Sequence, residues 1–292
     1  MKKIDAGFLH LGLACALFVV VFATLSRAET SPVQRVIALG GSVTEIVVAL
    51  DRAAVLVARD STSTYPTSVL ALPDVGYVRA LSPEGVLSVA PDLIIAEGGA
   101  GPVETIQVLQ SAAVPFVSVP DGYDGAAILA KIAVVAQALG VPDAGAALQA
   151  SVAADLDRAT ALAATRTGRK RVLFILSMQG GGILAAGSDT SAAGIIALAG
   201  ADNAMTGFQG YKPVSTEAII AAAPDVILMM DRSGDHAATD AEVLAHPAIV
   251  TTPAGEAKSV IRMDGLYLLG FGPRTAQAAL DLAGKIYPGT SN

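Results

Sequence analysis

A sixteen-residue phrase occurs twice in this chain, 133 positions apart. Leu81 to Ala96 reads LSPEGVLSVAPDLIIA, and Val214 to Met229 reads VSTEAIIAAAPDVILM. Ser, Glu, Ala, Pro, Asp and Ile coincide, and apolar residues replace one another at most other places. A repeat spaced this widely is not a stack of short solenoid units; it implies two related lobes. Two lobes enclose a cleft, and a ligand is expected there.

The rest of the chain fits that plan. In the first half, short apolar runs at 35–39 (RVIAL), 55–59 (VLVAR), 92–96 (DLIIA) and 115–119 (PFVSV) alternate with helical patterns. Such runs predict strands buried on both faces of a parallel sheet. Ser42-x-x-Glu45 reads as a capping box opening a helix, and Ser82-Pro83-Glu84 opens another with Pro at its first position. The second half repeats the scheme with strands at 171–176, 225–229 and 259–263 and helices near 191–198, from Thr216, and from about Thr275 to Ile286. Between the halves, Pro142 to Thr165 has helix-forming composition without internal Pro and predicts one long connecting helix. The expected fold is therefore α/β: two Rossmann-like lobes with parallel sheets, residues 29–141 and 167–292, joined by a helix over 142–166.

Residues 1–28 read as an export signal. Lys2 and Lys3 precede an apolar run from Ala6 to Leu25, and Ser26-Arg27-Ala28 offers small residues where a signal peptidase cuts. Cys15, the one cysteine, lies inside that run, so the mature chain has neither disulfide nor thiolate chemistry. Cleavage after Ala28 removes Lys2, Lys3 and Arg27 against Asp5, and the net charge goes from −7 to −9. That sign excludes a nucleic-acid partner, which needs a cationic face.

Ligands of open parallel sheets bind beyond the carboxyl ends of the strands. Gly-rich segments follow several strands: 97–102 (EGGAGP, with Gly98 and Gly99), 177–182 (SMQGGG, with Met178) and 232–235 (RSGD). They suit either close approach to a flat ligand or ordinary turns. None matches a phosphate loop or a dinucleotide fingerprint. Tyr77, in the loop before the first repeated helix, and Tyr211, followed by Lys212 in the loop before the second, differ by one residue from the repeat offset. Their rings are expected to face the cleft from opposite lobes. The same offset pairs Arg232 with Gly99, so a guanidinium there could stabilise a phenolate. His236 and His246 are too few for zinc or manganese capture. Ser42 lacks the spacing of an activated nucleophile, and no catalytic constellation is visible. Glu84 and Glu217 are repeat-matched acids at the lobe tips; each serves as a first-turn helix acid, and the two together offer a pair of anions to a two-fold partner.

At this point the chain resembles the periplasmic substrate-binding proteins whose lobes are joined by a long helix, the group serving ABC importers of vitamin B12, siderophores and haem. Within it the chain is similar to haem receptors, through Asp60-Ser61-Thr62-Ser63-Thr64-Tyr65-Pro66, Gly76-Tyr77-x-Arg79-x-Leu81-Ser82-x-Glu84-Gly85, Ala186-Gly187-x-x-Thr190, Gly210-Tyr211-Lys212-Pro213 and Leu268-Leu269-Gly270-Phe271-Gly272-Pro273-Arg274. The resemblance implies haem b (hemin) as transported ligand, with Tyr77 as axial ligand to its iron and Arg232 bonded to the phenolate. Tyr65 and Tyr211 are the alternative ligands. It further implies Arg79, Tyr211 and Lys212 at propionates or the rim, and Glu84 and Glu217 docked on the two subunits of an inner-membrane permease with its ATPase. Some relatives carry a second, His ligand; Met178 stands where it is expected, which implies a five-coordinate site or at most a weak sulfur contact. The protein would be a periplasmic monomer fed by an outer-membrane haem uptake system, with no catalytic cofactor. A receptor for a ferric siderophore or corrinoid is the alternative within the class; an α/β enzyme or haem-storage protein is the alternative outside it.

Overall fold

The computed structural model describes residues 33–231 and 238–289. The expected signal over 1–28 lies outside them. In the first lobe, strands β1 (Val36–Leu39), β2 (Leu56–Arg59), β3 (Leu93–Glu97) and β4 (Phe116–Val119) alternate with helices α1 (Gly41–Ala49), α2 (Pro83–Leu87), α3 (Val103–Ser111) and α4 (Gly125–Ala138). All pairs are parallel, in the order β2-β1-β3-β4. Every side chain of β1 is buried, as an apolar run covered on both faces requires. Helix α5 (Pro142–Ala164) then runs for 23 residues with Pro at its start, about 34 Å at 1.5 Å per residue. This is the connecting helix that composition predicted.

The second lobe comprises β5 (Arg171–Gln179), β6 (Gly182–Ala186), α6 (Ser191–Leu198), β7 (Asp202–Asn203), β8 (Tyr211–Val214), α7 (Thr216–Ala222), β9 (Val226–Asp231), α8 (Asp240–Ala245), α9 (Pro253–Glu256), β10 (Val260–Asp264), α10 (Gly265–Leu269) and α11 (Thr275–Ile286). Its sheet, in the order β10-β9-β5-β6-β8 with β7 beside β5, is mixed rather than wholly parallel. β10, β9 and β5 run parallel, whereas β6 is antiparallel to both β5 and β8. The segment SMQGGG is the cause. Gly180 and Gly181, with φ of 56° and 80°, make a two-residue hairpin turn of the kind that needs positive φ at both centres. Met178 is thereby built into β5 opposite Ile183 and packs against the core of Leu173, Ile175 and Ile227.

The repeated phrase folds the same way twice. Ser82 Oγ accepts the N–H of Gly85 at the start of α2, and Ser215 Oγ accepts that of Ala218 at the start of α7. An alanine with positive φ precedes Pro-Asp in both copies: Ala223, at φ 43°, caps the end of α7, and Ala90, at φ 45°, stands three residues beyond the end of α2. The following Pro-Asp then ties the next strand to the central one. Asp92 carboxylate oxygens accept the N–H groups of Gln34 and Arg35 at 2.9 and 3.0 Å, and Asp225 accepts that of Arg171 at 2.7 Å.

The capping box expected at Ser42 does not form. α1 starts two residues earlier, with Gly40 as N-cap, so Ser42 lies inside the helix and its hydroxyl has no partner. Glu45 turns instead to the other lobe, where Arg274 donates to both of its oxygens at 3.0 and 2.5 Å. The guanidinium of Arg274 is also stacked 3.5 Å from the Tyr65 ring centre and 4.9 Å from that of Tyr267. One apolar core joins the whole, from Val36 and Ala38 through Val152 and Leu156 of α5 to Phe174 and Leu282.

Candidate functional site

A cavity of about 530 Å³ opens between the lobes, within the range of sites for small organic ligands and cofactors. On the first lobe its wall includes Ser61, Thr62, Thr64, Tyr77, Val78 and Arg79; on the second, Ser191, Tyr211, Met230, Asp264, Leu266 and Leu269. The ends of β3 and β9 contribute Glu97 and Asp231, so the carboxyl ends of the parallel strands do face the cleft.

Tyr77 rides on a braced loop. Asp74 Oδ1 accepts the N–H of Gly76 at 2.8 Å, Gly76 takes φ 102°, and its carbonyl accepts the N–H of Ser61 at 2.9 Å. The next carbonyl but one, of buried Val78, accepts the N–H of Gly101 at 2.9 Å. With backbone fixed on both sides, the Tyr77 ring is left 49% exposed in the cavity wall. Across the cleft Tyr211 is fixed by its hydroxyl, 3.1 Å from Ser191 Oγ, and by an edge contact with Phe174 at 6.3 Å between ring centres.

The cleft floor is charged. Asp60, wholly buried, accepts hydrogen bonds from the N–H groups of Gly40 and Thr62 and from the hydroxyls of Thr62 and Ser63, all between 2.5 and 2.9 Å. Glu97 packs so close to Gly40 that any Cβ there would run into its carboxylate. Burial pushes the Glu97 carboxyl up to about 7, aided by Asp60 and Asp121 and opposed by Lys131 and Arg79. The ammonium of Lys131, a residue only 4% exposed, is pushed down by burial and held up by Glu97 and Asp121. The side chains of Arg79, Glu97, Asp121 and Lys131 all line the cavity, and among the described residues none of them makes a hydrogen bond or ion pair. Sequence reasoning missed this floor, although a lone Lys in the otherwise apolar or small run of α4 was a readable sign.

The structure brings Tyr77, Arg79, Gly99 and Tyr211 together in the cavity wall. Others fall elsewhere. Gly98 backs onto the Asp121 side chain. The Lys212 ammonium lies 5.8 Å from the centre of the Phe208 ring and is not part of the cavity wall. Met178 is in the β5–β6 hairpin and also outside that wall, because, of the two uses these glycines suit, it is the turn that they serve. Tyr65 is occupied by Arg274. Arg232 and His236 lie outside the described residues. His246 caps the end of α8, its Nδ1 accepting the N–H of Ala248 at 3.1 Å and its Nε2 meeting the Gly181 carbonyl at 3.1 Å. Glu84 and Glu217 stand exposed in the first turns of α2 and α7. The backbone N–H at Glu217 and the Ser215 hydroxyl hold the Glu217 carboxyl below the usual carboxylate range. No group of three or more His, Cys, Asp or Glu able to hold a metal ion occurs among the described residues.

Residues 36–266 match the family described as periplasmic binding protein. Among solved structures, the periplasmic heme-binding protein RhuT from Roseiflexus sp. RS-1, in apo form, is 40% identical, with a TM-score of 0.83 over 87% of this chain and 98% of its own. BhuT, a periplasmic heme-binding protein in complex with two hemes, is 43% identical, with a TM-score of 0.81 over 86% and 97%. A periplasmic heme-binding protein from Pseudomonas aeruginosa is 32% identical, with a TM-score of 0.80 over 89% and 94%. A curated relative, the uncharacterized ABC transporter substrate-binding lipoprotein YvrC of Bacillus subtilis, is 25% identical over 88% of this chain and 81% of its own.

Proposed function

This chain belongs to the periplasmic binding protein family, and from that premise we propose that it captures haem between its lobes and delivers it to an inner-membrane ABC permease. Family members of this kind carry substrates and leave chemistry to others; no reaction is assigned to this one.

The observation that carries the proposal is the Tyr77 ring, half exposed in the cavity wall on a loop braced at both ends, with Arg79 beside it. Ferric iron is a hard acid and phenolate a hard oxygen donor. A free phenol titrates near 10, so iron and a nearby cation must together draw off its proton. Arg79 lines the same cavity, and Arg232 would be the second such cation. Tyr211 and the apolar side chains of Leu266 and Leu269 offer faces to a porphyrin. Glu84 and Glu217 are the docking acids for the two permease subunits.

Titration of purified protein with hemin tests this. A saturable Soret change with a phenolate charge-transfer band is expected, and Tyr77→Phe should remove that band and weaken binding by roughly a hundredfold or more, at least what losing an outer-shell partner of a ligand costs. Undiminished affinity and spectrum in Tyr77→Phe would reject Tyr77 as ligand.

A further inference from the structure

The iron end of the cleft leaves its floor without a role. Lys131 is 4% exposed, Ser42 is 1% exposed with an unpartnered hydroxyl, and both line the cavity. The Glu97 carboxyl shares that floor and likewise has no hydrogen-bond partner among the described residues. Buried polar groups are nearly always satisfied by protein, water or ligand, and an ammonium with no direct partner is among the costliest to leave unmet.

We propose that Lys131, Ser42 and Glu97 form an inward subsite for a carboxylate of the cargo, with Lys131 supplying positive charge, Ser42 a hydroxyl donor, and the Glu97 carboxyl completing the wall. The subsite rests on the haem reading, in which that carboxylate is a propionate pointing into the cleft.

The charges around it set its condition of use. Glu97, at the end of β3, faces Lys131 from α4, Asp60 beyond β2, Asp121 beyond β4 and Arg79 from the loop before α2. Asp60 and Asp121 would repel an incoming anion, so the subsite accepts one only while Glu97 carries its proton. Glu97 titrates near 7 in the free protein; a bound anion raises that value, and binding takes up a proton from solvent. Discrimination for a carboxylate is therefore strong at pH 6 and fades by pH 8.

The experiment compares hemin with hemin dimethyl ester, whose propionates are blocked, by Soret titration at pH 6 and pH 8. Wild type should prefer the diacid by roughly tenfold or more at pH 6, the size of a hydrogen bond to a charged group, and by less at pH 8. Lys131→Met should abolish the preference while keeping the iron–phenolate spectrum. Glu97→Gln, a neutral donor at every pH, should keep the preference at pH 8. Equal affinity of wild type for acid and ester at pH 6 overturns the subsite, as does a preference retained in Lys131→Met. If Lys131→Met does not fold, a pH profile of Glu97→Gln identical to wild type overturns it. Binding of both hemin and ester without discrimination leaves the haem reading standing, whereas no saturable response to either ends that reading and the subsite together.

Discussion

Lys131, buried, and Glu97, half-buried, lie near one another without touching, so each is governed by desolvation and by the field of its neighbours. The folded-state value of Glu97, near 7, lies above the 4.5 of an unfolded glutamate. Folding therefore takes up a proton between those values, and the stability it contributes is full below pH 4.5 and lost as pH rises through 7. The span amounts to on the order of 3 kcal/mol. Thermal unfolding should show wild type losing stability from pH 5 to pH 8 relative to Glu97→Gln; parallel curves would refute the assignment. The tyrosines could be read from sequence, since a repeat offset places matched residues at matched points of a cleft. Lys131 could not be placed so easily, because only the packing of α4 against the sheet decides whether its amine snorkels to water or stays inside.

The element that defines the fold is the helix–strand unit, built twice around Pro-Asp. Its cost is an alanine with positive φ before each Pro-Asp, Ala90 and Ala223, a conformation unfavourable by about 1–2 kcal/mol for an L-residue. Ala→Gly normally weakens a protein, but Ala90→Gly and Ala223→Gly should each raise unfolding stability by about 0.5–1 kcal/mol, the strain relieved less the added chain entropy. A loss in urea titration at both positions would contradict the backbone geometry. Strand positions were legible because continuous apolar runs between Gly and Pro have few other uses. The β5–β6 hairpin was not read, because the glycines of SMQGGG were weighed as ligand approach or an ordinary turn without pairing the runs on either side. GG between apolar runs is a hairpin signal in its own right, and RVLFILSMQ followed by GILAA carries it. The capping box failed for a local reason: Gly40 and Gly41 let the helix begin two residues early, which carried Ser42 out of the cap position.

At the scale of the molecule, the lobes are tied by α5, by a shared core and by Arg274. Arg274 reaches Glu45 and Tyr65 in one lobe and Tyr267 in the other. Since Glu45 is 6% exposed, Arg274→Gln strands a buried carboxylate and should cost about 3–5 kcal/mol, with faster hemin release. Adding Glu45→Gln should recover part of the loss; no recovery in chemical denaturation would show that the charge pair is not the cause. Glu84 and Glu217 lie on the exposed starts of the two repeated helices, so changing both to Lys should abolish permease-dependent uptake of hemin and leave its affinity unchanged. Normal uptake by that variant would dismiss the docking role. The ties between the lobes bear on unloading as well. A vessel braced along its spine does not fall open of its own accord, so the effort of emptying it has to come from the machine that seizes its two tips and prises them apart.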